Sequence, residues 1–180
     1  MTTIQLNEDT RGSTQSFLDF ESNWPKSGET DFEVKRILWS NSKKHVIRGV
    51  HLAPHALNQW KIVTCISGSI HDVIFDFRPF SATFGEHEKV LLSAGSGKSI
   101  LIPPGIGHAF QALEDESIVL YVINNGFQQV HEKVIHPLDP ELGVTWINNY
   151  ILSEKDAAAL SLKQSSSQTE LGLILDWDIR

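Results

Sequence analysis

KIVTCISGSIHDVIFDFR, residues 61–78, decides the fold class. Two runs rich in Val, Ile and Phe are broken at Ser67-Gly68-Ser69, which reads as a hairpin signal. In the second run His71, Val73, Phe75 and Phe77 share one face, while Asp72, Ile74 and Asp76 share the other. Outward from there, KVLLS, KSILIP, HAFQAL and SIVLYVI follow at short intervals with Gly, Pro, Asp and Glu between them. Many short strands with regular turn punctuation predict an all-β sandwich or barrel and not alternating β and α units.

One segment reads as a helix. In SEKDAAALSLK, Ser153 is a good N-cap with Asp156 three residues later, and three alanines follow. A chain of 180 residues suits a single domain with a real core. We place that domain at residues 1–162. Residues 163–180 then form a polar linker, KQSSSQTE, and an apolar extension, LGLILDWDIR, that docks back or pairs with a partner chain.

The net charge of −7 argues against a nucleic-acid surface, though a local cationic pocket for phosphate remains compatible with it. Cys65 is the single cysteine, so no intrachain disulfide forms and a reducing compartment suits the chain. MTTIQLNEDTRG lacks the basic and apolar regions of a signal peptide, and no apolar run approaches the ~20 residues of a membrane span. A cytoplasmic protein is expected.

LSAGSGKS (residues 92–99) imitates a phosphate loop. It has Leu92 where that motif needs glycine, and it runs into ILIPPGIG, which is β-like and proline-broken instead of helical. A Gly/Ser turn between strands is the better account. Eight histidines raise the question of a metal. His51, His55, His71 and His108 could converge in principle, but no H-x-H pair puts two imidazoles on one strand face, so no metal is expected. His55, His87 and His131 read as solvated loop residues.

HVIRGVHLAPHALNQWKIV (residues 45–63) carries the chemistry. Arg48, His51 and Lys61 in a β-forming stretch either face solvent or line a pocket, because a charge turned inward is costly unless paired or used. RGVH is followed by QWK, then by DFRPFSATFGEHEKVLL, IPPGIGHAF with His108, YVINNGF with Tyr121 and Phe127, HPLDPELGVTW and LSEKD. In this order and spacing the chain resembles the dTDP-4-dehydrorhamnose 3,5-epimerase family, roughly from Asp9 to Leu162 and most strongly from His45 to Asp156.

The resemblance implies a cupin-type antiparallel jelly roll with a short C-terminal helix, a homodimer, and neither metal nor organic cofactor. It implies epimerisation of a dTDP-linked 4-keto-6-deoxyhexose at the carbons flanking the ketone. Matched by motif, His51 is the base, Asp156 its orienting partner, Tyr121 the acid on the opposite sugar face, and Lys61 the enolate stabiliser. Arg48, His108, Gln59, Phe127 and Arg11 (the last reaching over from the partner chain) are the implied substrate contacts.

Physical chemistry supports these roles separately. A C–H beside a ketone is a weak acid, so abstraction needs a base and a cation at the developing oxyanion. A carboxylate on the second imidazole nitrogen fixes the tautomer and stabilises the imidazolium. Inversion also needs a proton donor on the other face. For Arg48 and His51 to serve one ligand, Gly49 must bend or bulge the strand, since three steps along a regular strand reverse the face.

The chain departs from the family pattern at Ser13–Ser16, Lys35 and Ile37, where nucleotide contacts are expected. Phe127 replaces a frequent tyrosine, and Trp60 stands where a small residue is common. The binding shell has drifted while the catalytic positions are intact. A 3-monoepimerase, a ketoisomerase and a non-catalytic sugar-nucleotide-binding cupin are the alternatives.

Overall fold

The computed structural model describes residues 2–3, 6–15, 32–53, 57–78, 81–125 and 132–167. In chain order the strands are β1 (Thr2–Thr3), β2 (Leu6–Asp9), β3 (Gly12–Gln15), β4 (Arg36–Ser42), β5 (Ile47–Leu52) and β6 (Lys61–Ser67). They continue with β7 (Ser69–Asp76), β8 (His87–Ser93), β9 (Lys98–Ile102), β10 (Ile106–Ala112), β11 (Ser117–Ile123) and β12 (Lys133–Val134). Two short helices follow, α1 (Glu154–Ala157) and α2 (Leu162–Ser167).

The strands form two antiparallel sheets, in the orders β1-β9-β6-β11-β4 and β12-β5-β10-β7-β8, while β2 and β3 make a separate ribbon. One apolar cluster draws Val63, Cys65, Ile100, Ile102 and Val119 from the first sheet and Ile70, Leu92, Ile106 and Phe110 from the second, so it fills the space between them. A second cluster covers the other face of the second sheet. It joins Val50, Leu52, Val73, Phe75, Phe77 and Ala109 to Ile135 and Leu142, with Val144, Trp146 and Leu162 packed on it. Each fully buried side chain of this size contributes ~1.5–3 kcal/mol. Thus the second sheet is apolar on both faces, and the alternation read along β7 sends Val73, Phe75 and Phe77 outward and Asp72 inward. The architecture is the expected all-β jelly roll.

The corner at Gly68 differs from the hairpin expected of residues 61–78. β6 pairs with β9 and β11, and β7 pairs with β8 and β10, so the chain crosses from one sheet to the other there. Each strand is central in its own sheet, and neither has a free edge for the other. Gly68 adopts φ +68°, and a Cβ on it would lie 2.6 Å from Ser117 Oγ, so this corner admits only glycine comfortably.

The helix around Ser153 is shorter than its alanines suggest. Ser153 caps it by accepting from the Asp156 N–H, but α1 ends after one turn. Leu160 is then drawn beside Ile135, and its carbonyl accepts from the His136 N–H. Ala157 and Ala158 are exposed, so propensity alone does not extend the helix against that pairing. The first residues of the stretch read as a polar linker, Lys163–Ser167, are helical in α2. LSAGSGKS is a turn between β8 and β9, with Gly95 and Gly97 at positive φ. Of the histidines read as solvated loop residues, His87 is exposed but opens strand β8, paired with Phe75, and is not in a loop, while His55 and His131 lie outside the described residues.

Candidate active site

The site begins with a distortion of β5. His51 is the register partner of His108 on β10, and Arg48 is the partner of Phe110. Between these two pairs β10 advances two residues while β5 advances three. The extra residue is absorbed at Gly49, whose φ is +117°. A Cβ there would lie 2.5 Å from the His108 carbonyl oxygen and 2.7 Å from the Ala109 Cα, so the position requires glycine. Val50 and Leu52 belong to the outer cluster, so His51 between them turns toward the first sheet. Arg48 follows it to the same face and spans the rim, donating to Ser42 Oγ and to the Asn41 carbonyl, each at 3.0 Å.

α1 delivers the partner of His51. The ring Nε2 lies 2.8 Å from Asp156 Oδ1, and Asp156 is buried. Burial alone would raise the Asp156 carboxyl. The hydrogen bond and charge of His51, with the Ser153 hydroxyl and the Gly49 N–H, outweigh it and hold the group below the ordinary aspartate value. An ionised carboxylate can only accept, so Nε2 carries a hydrogen and Nδ1 is the ring nitrogen left to exchange a proton. The second carboxylate here, Glu132, places Oε1 3.8 Å from Nδ1 while its Oε2 accepts from Lys155 at 2.9 Å. Burial opposes its ionisation, but the charges of His51, Lys155 and Lys61 with the Lys155 hydrogen bond keep it below the usual glutamate value.

The first sheet supplies the opposite wall. Lys61 on β6 is 8% exposed. Burial pushes its ammonium below the ordinary lysine value, against the stabilising charges of Glu132 and Asp72. Tyr121 on β11 pairs with Val63, and Ile123 pairs with Lys61, so Tyr121 and Lys61 are diagonal neighbours on one face. Burial pushes the Tyr121 phenol well above its ordinary value, with the Ser40 hydroxyl acting in the other direction, which keeps it protonated at neutral pH. The Tyr121 ring meets His108 edge-on, with centroids 6.2 Å apart. His108 in turn binds Asp72 Oδ2 through Nε2 at 2.7 Å. Asp72 has no exposed surface, and its Oδ1 is without a hydrogen-bond partner.

The structure therefore brings together His51, Asp156, Tyr121, Lys61 and His108, with Arg48 at the rim. Gln59 is half-buried in the loop entering β6, where the Trp60 N–H donates to Asn124 Oδ1 at 2.8 Å. Arg11 lies at the turn of the β2–β3 ribbon, fully exposed and bound to Asp9. Phe127 lies outside the described residues.

Asp72 and Glu132 were not among the residues expected in the site. The signal for Asp72 is its place on the inward alternation of a strand, where an unpaired carboxylate is costly. Glu132 has no local signal, because it reaches the site through the fold. Among the described residues no three His, Cys, Asp or Glu side chains converge on a possible metal position. None of the described helices is long and apolar enough to cross a membrane.

This geometry, an imidazole backed by a carboxylate and facing a buried ammonium and phenol, can move protons at carbon beside a polarised carbonyl. Residues 1–164 match the family model described as dTDP-4-dehydrorhamnose 3,5-epimerase. A dTDP-4-dehydrorhamnose 3,5-epimerase of Streptomyces griseus is 37% identical over 147 residues, spanning 81% of this chain and 72% of its own. Among solved structures, NovW from the novobiocin biosynthetic gene cluster of Streptomyces spheroides, a 4-keto-6-deoxy sugar epimerase, superposes with a TM-score of 0.89. It shares 30% identity and covers 96% of this chain and 85% of its own. ChmJ of Streptomyces bikiniensis, a 3'-monoepimerase in complex with dTDP-quinovose, gives 0.87 at 29% identity, covering 96% and 86%. With its fold, its matched length and its relatives in agreement, the chain belongs to the dTDP-4-dehydrorhamnose 3,5-epimerase family.

Proposed function

We propose that the protein epimerises a dTDP-linked 4-keto-6-deoxyhexose at C3 and C5. The observation that carries this reading is the 2.8 Å contact of His51, on the inward face of β5, with Asp156 of α1, with Lys61 and Tyr121 on the facing wall. His51 Nδ1 takes the proton from the carbon beside the ketone, and the C–H electron pair becomes the enolate. The Lys61 ammonium holds the enolate oxygen, and the Tyr121 hydroxyl returns a proton from the other face. Two residues on opposite walls are what inversion requires and simple exchange does not. Arg48, Arg11, His108, Gln59 and Phe127 are assigned to the nucleotide and sugar, with Arg11 acting from the partner chain. No cofactor or metal enters these steps.

In this reading residues 1–162 are the catalytic unit, the extension 163–180 lies outside it, and the protein works in the cytoplasm, consistent with its single cysteine. It works as a homodimer. Ile37 and Trp39, 59% and 68% exposed on the edge strand β4, suit burial against a second copy. Light scattering giving the mass of one chain would contradict the dimer.

The activity is tested by proton NMR of dTDP-4-keto-6-deoxyglucose in heavy water with the enzyme added. Deuterium entering at both C3 and C5 is the expected result. Entry at C3 alone would favour a 3-monoepimerase, the activity that ChmJ's name records at a similar fold distance. A transposed ketone would indicate an isomerase, and no exchange at either carbon would leave a non-catalytic binding protein.

A further inference from the structure

Glu132 stands where the epimerase chemistry has no assigned role. Its Oε1 is 3.8 Å from His51 Nδ1, the ring nitrogen that Asp156 does not hold. Its Oε2 is tethered by Lys155 at 2.9 Å, and Lys155 directly precedes Asp156 on α1. One helical turn thus grips the imidazole from both ends, directly at Nε2 and through Glu132 at Nδ1. The Glu132 side chain is 42% exposed, whereas the Asp156 side chain is 4% exposed. Of the two carboxylates on the ring, Glu132 alone opens to water.

Inversion leaves a bookkeeping demand on the base. Each event puts one proton on the imidazole and draws another from the phenol, so before the next turn His51 must shed its proton and the Tyr121 phenolate must regain one from water. Asp156 cannot carry it away, since it is buried and already occupied as acceptor. We infer that Glu132 is the exit for that proton. This role rests on His51 being the base, as proposed above.

The step balances simply. The N–H bond at Nδ1 breaks, its electron pair returning to nitrogen. The proton bonds to Glu132 Oε1, giving a neutral carboxyl and a neutral imidazole, and the carboxyl then releases it to bulk water. An ordinary carboxyl is roughly two units more acidic than an ordinary imidazolium, so the carboxylate is a stepping stone and not a resting place. Lys155 reinforces this by favouring the ionised form. A separation of 3.8 Å is long for direct transfer; closing it to the ~3 Å of a working contact, or bridging it by one water, is the usual change on substrate binding. The groups facing His51 are Asp156 and Glu132, and those facing Glu132 are Lys155 on α1 and Lys61 on β6.

The test reads a partition and not a rate. In heavy water, at early times with dTDP-4-keto-6-deoxyglucose, product gains deuterium from the Tyr121 side whatever happens at His51. Unreacted substrate gains deuterium only if the abstracted proton leaves before it returns to the same carbon. The ratio of deuterium in recovered substrate to that in product therefore measures exit against return. Glu132→Gln is expected to lower this ratio at least fivefold. Lys155→Met, which keeps the carboxylate but frees it, should lower the ratio by about twofold, and it supplies the reading should Glu132→Gln turn over too slowly. An unchanged ratio in both variants, whatever their rates, would overturn the inference and leave Glu132 a structural residue. Exchange surviving in His51→Ala would instead overturn the assignment of the base, a separate failure.

Discussion

Replacing His51 with alanine is expected to lower kcat by about 10³-fold while leaving affinity for dTDP within about twofold of the parent. The asymmetry follows from position. The ring contributes nothing to the core clusters, is part-buried, and meets its neighbours through nitrogen atoms. Its removal takes away a proton acceptor without opening a hole in the packing. Asp156 is left buried with the Ser153 hydroxyl and the Gly49 N–H still on it, so some stability is lost, on the order of 1–3 kcal/mol for a buried charge losing one partner. Stopped exchange at C3 and C5 by NMR, and calorimetric titration with dTDP, check the two halves. Parallel loss of binding and turnover would mean that the imidazole holds the nucleotide and is not the base.

Lys61→Met is expected to separate function from stability in the opposite sense. Lys61 is 8% exposed, and its burial is what pushes its ammonium below an ordinary lysine. Methionine has nearly the same length and no charge to desolvate, so the fold should keep its stability or gain about 1 kcal/mol, a Tm rise of ~2–4 °C for a chain of this size. Turnover should fall about 10²–10³-fold, because the enolate oxygen loses its cation at a buried position. A variant that melts earlier and still turns over would show Lys61 to be a structural ion and not part of the chemistry.

The strands were legible because their alternation is strong and their turns carry Gly and Pro. Pairing was not. Ser67-Gly68-Ser69 has hairpin chemistry, yet both flanking strands are saturated by β9, β11, β8 and β10, a fact held only in distant sequence. The bulge at Gly49 could be demanded in advance from the three-residue spacing of Arg48 and His51, and the register supplies it. Asp156 could be read as a cap residue and as a partner for His51, and the structure puts it in both contacts at once: its N–H serves the cap and its carboxylate meets His51. Glu132 shows the limit. Nothing in its neighbours marks it, and it gains meaning only where the chain before β12 passes α1.

In the proposed reaction an acid and a base confront each other across one sugar ring. The most direct measurement is a crystal structure with a dTDP-linked sugar reduced at C4, which binds but cannot react. His51 Nδ1 and Tyr121 Oη are expected on opposite faces of the ring, each within about 3–3.5 Å of C3 or C5, with Lys61 Nζ at hydrogen-bond distance from O4. Both groups on one face, or a ligand seated outside the space between the two sheets, would contradict it.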